Sequence, residues 1–237
     1  MAEAEKGEGC PLCGSEQTIP YHADSWRSYR CCTRCGFVYV PRPFHLAPAV
    51  ERAEYDRHDN AVDDPGYRRF LARVADPLTA RVPAPAYGLD FGCGPGPALA
   101  AMLRERGYRM AVYDPFYAPD PAVLVPGWDF ITATEVVEHL AAPGAELQRL
   151  AGLLRPGGWL GLMTKLVLDR ERFATWHYIR DPTHIGFFSR PTLAWWAAAA
   201  GLEPPVFAAA DVILLRRPDR AAASSRRGGR TPRTAAR

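Results

Sequence analysis

The chain has 237 residues, of which 48% are hydrophobic and 23% are charged, and its formal net charge is +3. These proportions are typical of globular proteins and exclude a disordered polymer, and the length suffices for one α/β domain with a small appendage. No stretch reaches the ~20 apolar residues that cross a bilayer, and the polar segment Met1–Gly9 lacks a secretory signal, so we expect a cytoplasmic protein without a membrane partner. The composition carries no information on oligomeric state.

Two Cys-x-x-Cys pairs, separated by 18 residues, dominate the first part of the chain and consist of Cys10, Cys13, Cys32 and Cys35. In a chain without a signal peptide this spacing favours a zinc ribbon with four thiolate ligands over disulfides. Four thiolates complete a tetrahedral ion, so we expect a structural zinc and not a catalytic one. We place the ribbon at residues 9–43, where zinc binding would supply much of the folding free energy. Gly14 and Gly36 follow the pairs and ease the turns, and Cys31 is not counted as a ligand.

A linking helical segment is predicted for residues 48–82. Its apolar side chains recur at helical spacing and are expected to pack on the following domain; they are Tyr67, Phe70, Leu71, Val74 and Leu78. A polar cluster at Tyr55–Asn60 precedes this helix. Core packing does not explain its Asp, Arg and His side chains, so we treat the cluster as a candidate part of a functional site.

Residues 86–217 alternate short apolar runs with helical patterns, which predicts an α/β fold with a doubly wound, mostly parallel sheet. The clearest strands are Tyr87–Phe91, Met110–Tyr113, Phe130–Ala133 and Trp159–Met163. The clearest helices are Pro97–Arg106, Ala145–Leu154 and Arg190–Ala200, the last with Ser189 as its N-cap and Gly201 as its stop. A terminal hairpin is predicted from Pro205–Ala209 and Val212–Arg216. Because only 14 residues, Pro115–Trp128, follow the second strand, we expect a third strand reduced to a run near Val123–Val125.

A glycine-rich loop, Asp90-Phe91-Gly92-Cys93-Gly94-Pro95-Gly96, follows the first of these strands directly. Glycines let the backbone adopt positive φ and approach a ligand closely, and amides at the start of a helix can face a polar group. The pattern is also compatible with a simple tight turn. About 20 residues later a second strand ends in Asp114, the position from which a carboxylate binds ribose hydroxyls in dinucleotide folds. The pairing favours a nucleotide-like cofactor.

Two further segments follow along the chain: Trp128–Leu140, which contains Glu135-Val136-Val137-Glu138-His139, and Leu153–Leu160 with its Pro-Gly-Gly turn. With the glycine loop and Asp114 they cover Ala86–Thr164 and resemble class I S-adenosylmethionine-dependent methyltransferases. The glycine spacing matches neither a nicotinamide fingerprint nor a phosphate loop. The resemblance implies a Rossmann-like methyltransferase fold that uses S-adenosylmethionine as cofactor and releases S-adenosylhomocysteine.

By that resemblance the first loop holds the amino acid part of the cofactor, through Asp90, Gly92, Cys93, Gly94 and Gly96. Asp114 would bind its ribose. The turn after the next strand would lie beside the sulfonium and contains Thr134, Glu135 and Val136. The acidic residue that usually contacts adenine from the third strand is missing. Glu138 and His139 have a second interpretation, because they also fit the cap of the following helix.

A second polar segment, Trp176–Phe188, follows the strand that contains Met163, at the sheet edge where doubly wound proteins bind ligands. We expect this segment to cover the cofactor. Its polar residues could position or deprotonate a methyl acceptor. The candidate catalytic residues are His184, Asp181 and Tyr178 from this segment and His139 from the turn before it, with His177 as a further candidate.

Two other interpretations of this segment stay open. In the first, Asp181 and Thr183 form a turn around Pro182, and the histidines only bond backbone groups. In the second, His177 and His184 bind a metal ion, which their spacing of seven residues around a proline disfavours. Methyl transfer is an in-line displacement that depends above all on positioning, so a general base is needed only when the acceptor must lose a proton.

The tetrapeptides by which many exocyclic-amine methyltransferases hold a nucleobase, Asn-Pro-Pro-aromatic and Asp-Pro-Pro-aromatic, do not occur after the Phe130 strand. Glu135–His139 occupies that place and resembles small-molecule O- and C-methyltransferases, so a small-molecule acceptor is favoured over RNA. By resemblance, zinc ribbons are fused to methyltransferase domains in sugar and natural-product C-methyltransferases and in some ribosomal RNA guanine methyltransferases. Basic residues on the ribbon face would favour RNA, but Arg27, Arg30 and Arg34 form only a modest cluster. A third hypothesis is a non-catalytic module that binds S-adenosylmethionine and recruits a partner.

The last residues, 218–237, form a predicted disordered tail. From Arg216 onward there are eight arginines and one aspartate, a local charge of +7 that leaves −4 for the rest of the chain. The tail has no large apolar side chain with which to offset the entropy of ordering. The mildly acidic remainder does not resemble a dedicated nucleic-acid-binding surface.

Overall fold

The computed structural model of the chain describes residues 9–57 and 61–219. From position 220 onward the predicted tail lies outside the described residues, as do His58, Asp59 and Asn60 of the polar cluster. In the described part the helices are α1 (Pro48–Tyr55), α2 (Pro65–Thr79), α3 (Ala98–Glu105), α4 (Pro143–Leu153), α5 (Arg170–Thr175) and α6 (Arg190–Ala199). The strands there are β1 (Thr18–Ala23), β2 (Ser28–Cys32), β3 (Val38–Tyr39), β4 (Tyr87–Phe91), β5 (Arg109–Tyr113), β6 (Trp128–Thr134), β7 (Leu154–Met163), β8 (Gly186–Phe187), β9 (Val206–Phe207) and β10 (Val212–Arg216). None of these helices is long and apolar enough to cross a membrane.

The larger sheet of the described chain has the strand order β5-β4-β6-β7-β10-β9. The first four strands are parallel, whereas β10 is antiparallel to both β7 and β9. Leu89 of β4 and Ile131 of β6 are fully buried beneath side chains of α4 and α6. Phe130 of β6 packs on the opposite face with α2 and α3. The predicted doubly wound, mostly parallel α/β fold is therefore confirmed.

Short sequence patterns predicted several helices and strands correctly. In α2 the predicted side chains Leu71, Val74 and Leu78 are buried against the α/β domain at residues 86–217, which we call the body. The Ser189 hydroxyl accepts a hydrogen bond from the amide of Thr192 and caps α6, as predicted. Gly201 ends that helix with a φ of +71°, a conformation that glycine adopts without strain. The predicted terminal hairpin is confirmed as β9 and β10.

The predicted third strand near Val123–Val125 is wrong. Pro121–Val123 forms a short 3₁₀ helix, and the carboxylate of Asp120 caps it by accepting from the amide of Ala122. Val125 is 52% exposed, so this run lacks the buried face that would hold a strand on the sheet. β5 is consequently the edge strand, and no described residue supplies the acidic contact of a third strand.

The predicted boundary between α4 and β7 is also wrong. Helix α4 begins two residues earlier than predicted, at Pro143, and ends at Leu153. Leu154 has extended dihedral angles and pairs with Trp128, so β7 begins there and not at Trp159. The leucines at the end of α4 continue the helical spacing through Leu154, which is buried in the strand, so the pattern did not reveal where the strand begins.

The ribbon and the body share a sheet. β1, β2 and β3 are antiparallel, and β8, which comes from the polar segment after β7, is the fourth strand of their sheet. Gly186 pairs with Tyr39, and Phe187 pairs with Val38. The fold of the ribbon is thus completed by residues about 150 positions downstream. The predicted domain limits, 9–43, 48–82 and 86–217, stay predictions.

One zinc-ribbon turn lies directly on α4. The amide of Gly144 donates to the carbonyl of Pro11, and a Cβ atom at Gly144 would lie 2.3 Å from the carbonyl oxygen of Leu12. Because that oxygen belongs to backbone, it cannot rotate away. We expect Gly144→Ala to lower the free energy of unfolding by about 1–3 kcal/mol, the usual cost of overpacking.

Urea unfolding of matched variants checks this expectation. Gly152, in the same helix, has open space where a Cβ would lie, so Gly152→Ala is the control and should leave stability unchanged or raise it slightly. Equal unfolding midpoints for the two variants would contradict the contact between the ribbon and α4.

Candidate active site

A cavity of about 620 Å³ lies at the carboxyl ends of β4, β5 and β6. The chain passes from β4 to β5 on one side and to β6 on the other, which is the kind of position where open α/β sheets bind ligands. Most of the residues that line the cavity lie at or after the ends of four strands: Phe91–Pro95 at β4, Tyr113–Tyr117 at β5, Thr134–Val136 and His139–Ala141 at β6, and Asp181 and His184 after β7. Helices α1, α2 and α4 supply the others. The cavity therefore gathers most of the predicted site into one space.

The glycine loop after β4 forms one wall. Gly92 and Gly94 have φ angles of +74° and +64°, and the amide of Gly92 donates to the carbonyl of Tyr113 at 2.7 Å. A Cβ at Gly92 would lie 2.4 Å from a methyl carbon of Val136, so glycine is required for both conformation and space. Cys93 also lines the wall.

Asp90 and Gly96 of the predicted loop do not line the cavity. The Asp90 carboxylate lies beneath the loop, where the hydroxyl of Thr132 donates to it at 2.7 Å. Burial raises the pKa of this carboxyl to about 6. The carbonyl of Gly96 accepts from the amide of Ala98 at the start of α3. In this structure both residues support the loop from outside the cavity.

Asp114 joins the loops that follow β4 and β5. One carboxylate oxygen accepts from the amide of Gly94 at 3.0 Å, and the other accepts from the amides of Phe116 and Tyr117 at 2.8 and 3.1 Å. Its side chain lines the cavity at the predicted position. A carboxylate oxygen can accept more than one hydrogen bond, so Asp114 retains acceptor capacity toward a ligand.

The turn after β6 presents polar atoms to the cavity. Glu135 has a φ of +51°, a strained conformation for a side chain other than glycine, and its amide donates to the carbonyl of Met163. Within the described chain the Thr134 hydroxyl and one carboxylate oxygen of Glu135 are buried without a hydrogen-bond partner. Burial, together with the nearby Glu138 carboxylate, raises the pKa of Glu135 to about 8. Unpaired buried polar atoms of this kind indicate a site that a ligand completes.

Glu138 and His139 do not cap the next helix. The N-cap of α4 is Ala142, which makes no side-chain cap bond. Glu138 is fully buried, accepts a hydrogen bond from the Tyr178 hydroxyl, and has its pKa raised to about 7 by burial. His139 faces the cavity, with its Nδ1 3.1 Å from the carbonyl oxygen of Thr183.

The four predicted catalytic residues fall into two groups. His139, Asp181 and His184 line the cavity, whereas Tyr178 is buried behind it against Glu138. Asp181 accepts from the amide and hydroxyl of Thr183, so the turn that was the structural alternative does form. Burial lowers the pKa of His184 to about 4, and its Nδ1 lies 2.8 Å from the Tyr178 carbonyl oxygen.

His177 lies apart from the cavity and from His184. It is exposed, and its Nε2 is 2.7 Å from the ammonium nitrogen of Lys165. Among the groups of three or more candidate metal ligands in the described chain, His184 occurs with Glu138 and His139 and not with His177. The structure does not support the metal site from His177 and His184.

Sequence reasoning anticipated only part of the lining that comes from α1 and α2. Tyr55 belongs to the polar cluster that we treated as a candidate part of a functional site, and it lines the cavity. Glu51, Tyr67 and Phe70 also line it and were not predicted to do so. The Tyr55 hydroxyl donates to Glu51 at 2.7 Å, and its ring meets the His139 ring edge to face at 5.3 Å. The helical spacing of Tyr67 and Phe70 predicted packing on the body, but it gave no sign that the partner surface was a cavity.

A clamp from the ribbon was also missed. Arg27, which the sequence places in a modest cluster of basic residues, is only 7% exposed. Its guanidinium donates to the backbone carbonyls of Ile179, Asp181 and Pro182 at 2.8, 2.8 and 3.1 Å. The ribbon therefore fixes the backbone of the segment that carries Asp181 and His184.

The predicted zinc ligands converge. The sulfur atoms of the four predicted cysteines all lie within 4.8 Å of one another, with distances of 3.6 Å for Cys10 to Cys35 and for Cys13 to Cys32. Tetrahedral zinc with bonds of ~2.3 Å places its sulfur ligands roughly 3.8 Å apart. Gly14 and Gly36 have φ angles near +72°, as the predicted turns require. The cluster has the donor set and dimensions of a structural zinc site with no open position.

Comparison with known proteins agrees with this geometry. The family model for the methyltransferase domain matches residues 64–204, more than half of the chain. A curated relative, trans-aconitate 2-methyltransferase of Methylobacterium radiotolerans, is 35% identical over 40% of this chain and 46% of its own length. The chain thus matches less than half the length of that relative.

A similar solved structure shows the same fold. It is the 1,6-didemethyltoxoflavin-N1-methyltransferase of Burkholderia thailandensis with bound 1,6-didemethyltoxoflavin and S-adenosylhomocysteine. The TM-score is 0.54 at 20% identity, and the match covers 84% of this chain and 99% of that one. With the glycine loop, Asp114 and the polar turn after β6 meeting in one cavity, and with the family model matched over most of residues 86–217, the chain belongs to the methyltransferase-domain family.

Proposed function

We propose that the protein moves the sulfonium methyl group of S-adenosylmethionine to an oxygen or carbon atom of a small molecule and releases S-adenosylhomocysteine. The observation that carries this proposal is that the glycine loop and the polar group of His139, Asp181 and His184 line the same cavity. A methyl donor on the loop and an acceptor against these side chains would then share one enclosed space. In-line displacement requires such an arrangement.

The residues present fit the cofactor. The loop at Gly92–Gly94 can approach the amino acid part through backbone atoms, and Asp114 can accept from the ribose hydroxyls. The unpaired oxygens of Thr134 and Glu135 are the atoms we assign to the region beside the sulfonium. When bound, the cofactor supplies an electrophilic methyl group, while the chain supplies orientation and exclusion of water.

A small acceptor is favoured over RNA by what surrounds the cavity. Side chains of α1 and α2 contribute to its lining, and its volume of about 620 Å³ is in the range of small-molecule sites. Of the three basic residues considered for RNA, Arg27 is buried and Arg30 donates to the hydroxyl and carbonyl of Thr18. Too little basic surface remains on the ribbon to follow a phosphate backbone.

Two measurements test the proposal in sequence. Calorimetry should first show binding of S-adenosylmethionine and of S-adenosylhomocysteine. Transfer of an isotope-labelled methyl group should then label a low-molecular-mass metabolite fraction and leave RNA unlabelled. Label in RNA would instead support the RNA methyltransferase, and cofactor binding without transfer to either fraction would support the non-catalytic module.

A further inference from the structure

Three side chains outside the cysteine cluster bring together the atoms of a metal site. A carboxylate oxygen of Glu138 and one ring nitrogen each of His139 and His184 all lie within 4.8 Å of one another. The two imidazole rings are 4.7 Å apart between centroids. Glu138 and His139 come from the short 3₁₀ helix after β6, and His184 comes from the segment that the ribbon clamps. The fold thus joins them from two distant parts of the chain.

Hydrogen bonds already orient both histidines. The Nδ1 of His184 lies 2.8 Å from the carbonyl oxygen of Tyr178, and the Nδ1 of His139 lies 3.1 Å from that of Thr183. A carbonyl oxygen can only accept, so each Nδ1 carries the hydrogen and each neutral ring carries its lone pair on Nε2. Metal-binding histidines are held in this way, with one nitrogen fixed by a backbone carbonyl.

The carboxylate of Glu138 gives an independent indication of a ligand. The side chain is 0% exposed. Its Oε1 accepts from the Tyr178 hydroxyl, whereas Oε2 has no hydrogen-bond partner among the described residues. A fully buried carboxylate oxygen without a partner is costly unless a donor or a cation meets it.

We propose that Glu138, His139 and His184 bind one divalent transition-metal cation of the zinc, iron(II) or cobalt(II) class. Two imidazoles and one carboxylate form a donor set that these ions accept, whereas magnesium and calcium prefer oxygen ligands alone. Bonds of ~2.1 Å place ligand atoms roughly 3 to 4 Å apart, so the three groups need to close by only a small distance. Asp181, whose Oδ2 lies 3.7 Å from the Nε2 of His184, is a further carboxylate beside the site.

This inference rests on the proposed function and narrows its substrate class. Since His139 and His184 line the cavity, the open positions of the cation face the acceptor. An acceptor that binds there has a hydroxyl oxygen, and the cation lowers the pKa of that group so that its proton leaves to bulk solvent as the acceptor binds. The oxygen then forms a bond to the methyl carbon as the carbon–sulfur bond breaks, and the sulfonium becomes a neutral thioether. The structure therefore favours oxygen-centred acceptors over carbon-centred ones.

Cobalt(II) added to the full chain that carries one equivalent of zinc, enough for the four thiolates alone, tests the site directly. Zinc keeps the four thiolates occupied, so one additional equivalent of cobalt should bind with weak visible d–d absorption and without a sulfur charge-transfer band. His139→Gln and His184→Gln should each weaken this binding by at least about 100-fold, beyond the 10–100-fold lost when only a supporting partner is removed. His177→Gln, which changes a histidine outside the cavity, is the control and should bind as the wild type does.

The outcomes separate the metal site from the proposed function. No additional equivalent in the wild type, or an additional equivalent that survives both substitutions in folded variants, would overturn the metal site. His139 is partly exposed, so its variant keeps the test informative even when His184→Gln fails to fold. Methyl transfer without cobalt binding would refute the metal site alone, whereas cobalt binding without any methyl transfer would refute the proposed function alone.

Discussion

Cys35→Ser is expected to remove zinc and to lower the free energy of unfolding by more than about 4 kcal/mol, the range associated with loss of a metal site. Cys35 is buried within the four-sulfur cluster, and that cluster is continuous with the main core through Leu12, Phe37 and residues of α4 and α6. In a chain of this size the loss corresponds to a fall in Tm of at least ~8 °C. Thermal unfolding followed by circular dichroism, together with zinc analysis, gives both values.

The control for this prediction is Cys31→Ser. Cys31 precedes a ligand in sequence but is not part of the cluster; its thiol donates to the carbonyl of Cys32 and packs beside the hydrophobic cluster that contains Tyr29 and Phe187. This variant should keep one equivalent of zinc and the Tm of the wild type. If the two variants unfold alike and retain the same zinc content, the ribbon does not depend on the predicted ligands.

Loss of zinc should also reduce methyl transfer, although the four cysteines do not line the cavity. The ribbon positions Arg27, whose guanidinium holds the backbone at Ile179, Asp181 and Pro182, and β3 of the ribbon pairs with β8. A loosened ribbon releases the segment that carries His184, while the glycine loop on the far wall keeps its own contacts. Cofactor binding by Cys35→Ser should therefore decline less than methyl transfer.

Asp114→Ala is expected to weaken S-adenosylmethionine binding by about 100-fold or more. Hydrogen bonds to a charged group contribute ~1.5–3 kcal/mol each, so loss of two ribose contacts accounts for a change of this size. The substitution also removes the bond that Asp114 accepts from the amide of Gly94, which loosens the loop. Isothermal titration with S-adenosylhomocysteine measures the effect without turnover.

Asp120→Ala is the matched control for this second prediction. Asp120 lies six residues later, is exposed, and caps the 3₁₀ helix that stands where a third strand was expected. It does not line the cavity of about 620 Å³. The affinity of this variant for S-adenosylhomocysteine should stay close to that of the wild type. An equal loss in both variants would mean that Asp114 affects binding only by stabilising the β5 edge of the sheet.

The sequence predicted best what depends on neighbours along the chain. The loop from Asp90 to Gly96, the cap at Ser189 and the two cysteine pairs each carry their signal within a few positions. The failed third strand at Val123–Val125 shows the limit of this information. Apolar β-branched residues are suited to a strand, but a strand also needs a buried face, and here Asp120 and Pro121 begin a 3₁₀ helix instead.

Most of the remaining site depends on contacts between distant residues. Arg27 meets Pro182 across 155 positions, and Glu138 meets Tyr178 across 40. In the sequence Arg27 has the same character as any basic surface residue, and Glu138 fits a helix cap equally well. Only the folded structure shows that Arg27 is buried and bonds to the backbone of a distant segment, and that Glu138 is a buried carboxylate close to two histidines.

A crystal structure with S-adenosylhomocysteine tests the central claim most directly. We expect the ribose hydroxyls to bond to Asp114, the amino acid part to lie along Gly92–Gly94, and the sulfur to face His139 across the cavity. The buried oxygens of Thr134 and Glu135 should then have partners. Product bound elsewhere, or a filled cavity in which both oxygens stay unpaired and Asp114 does not touch the ribose, would contradict the account.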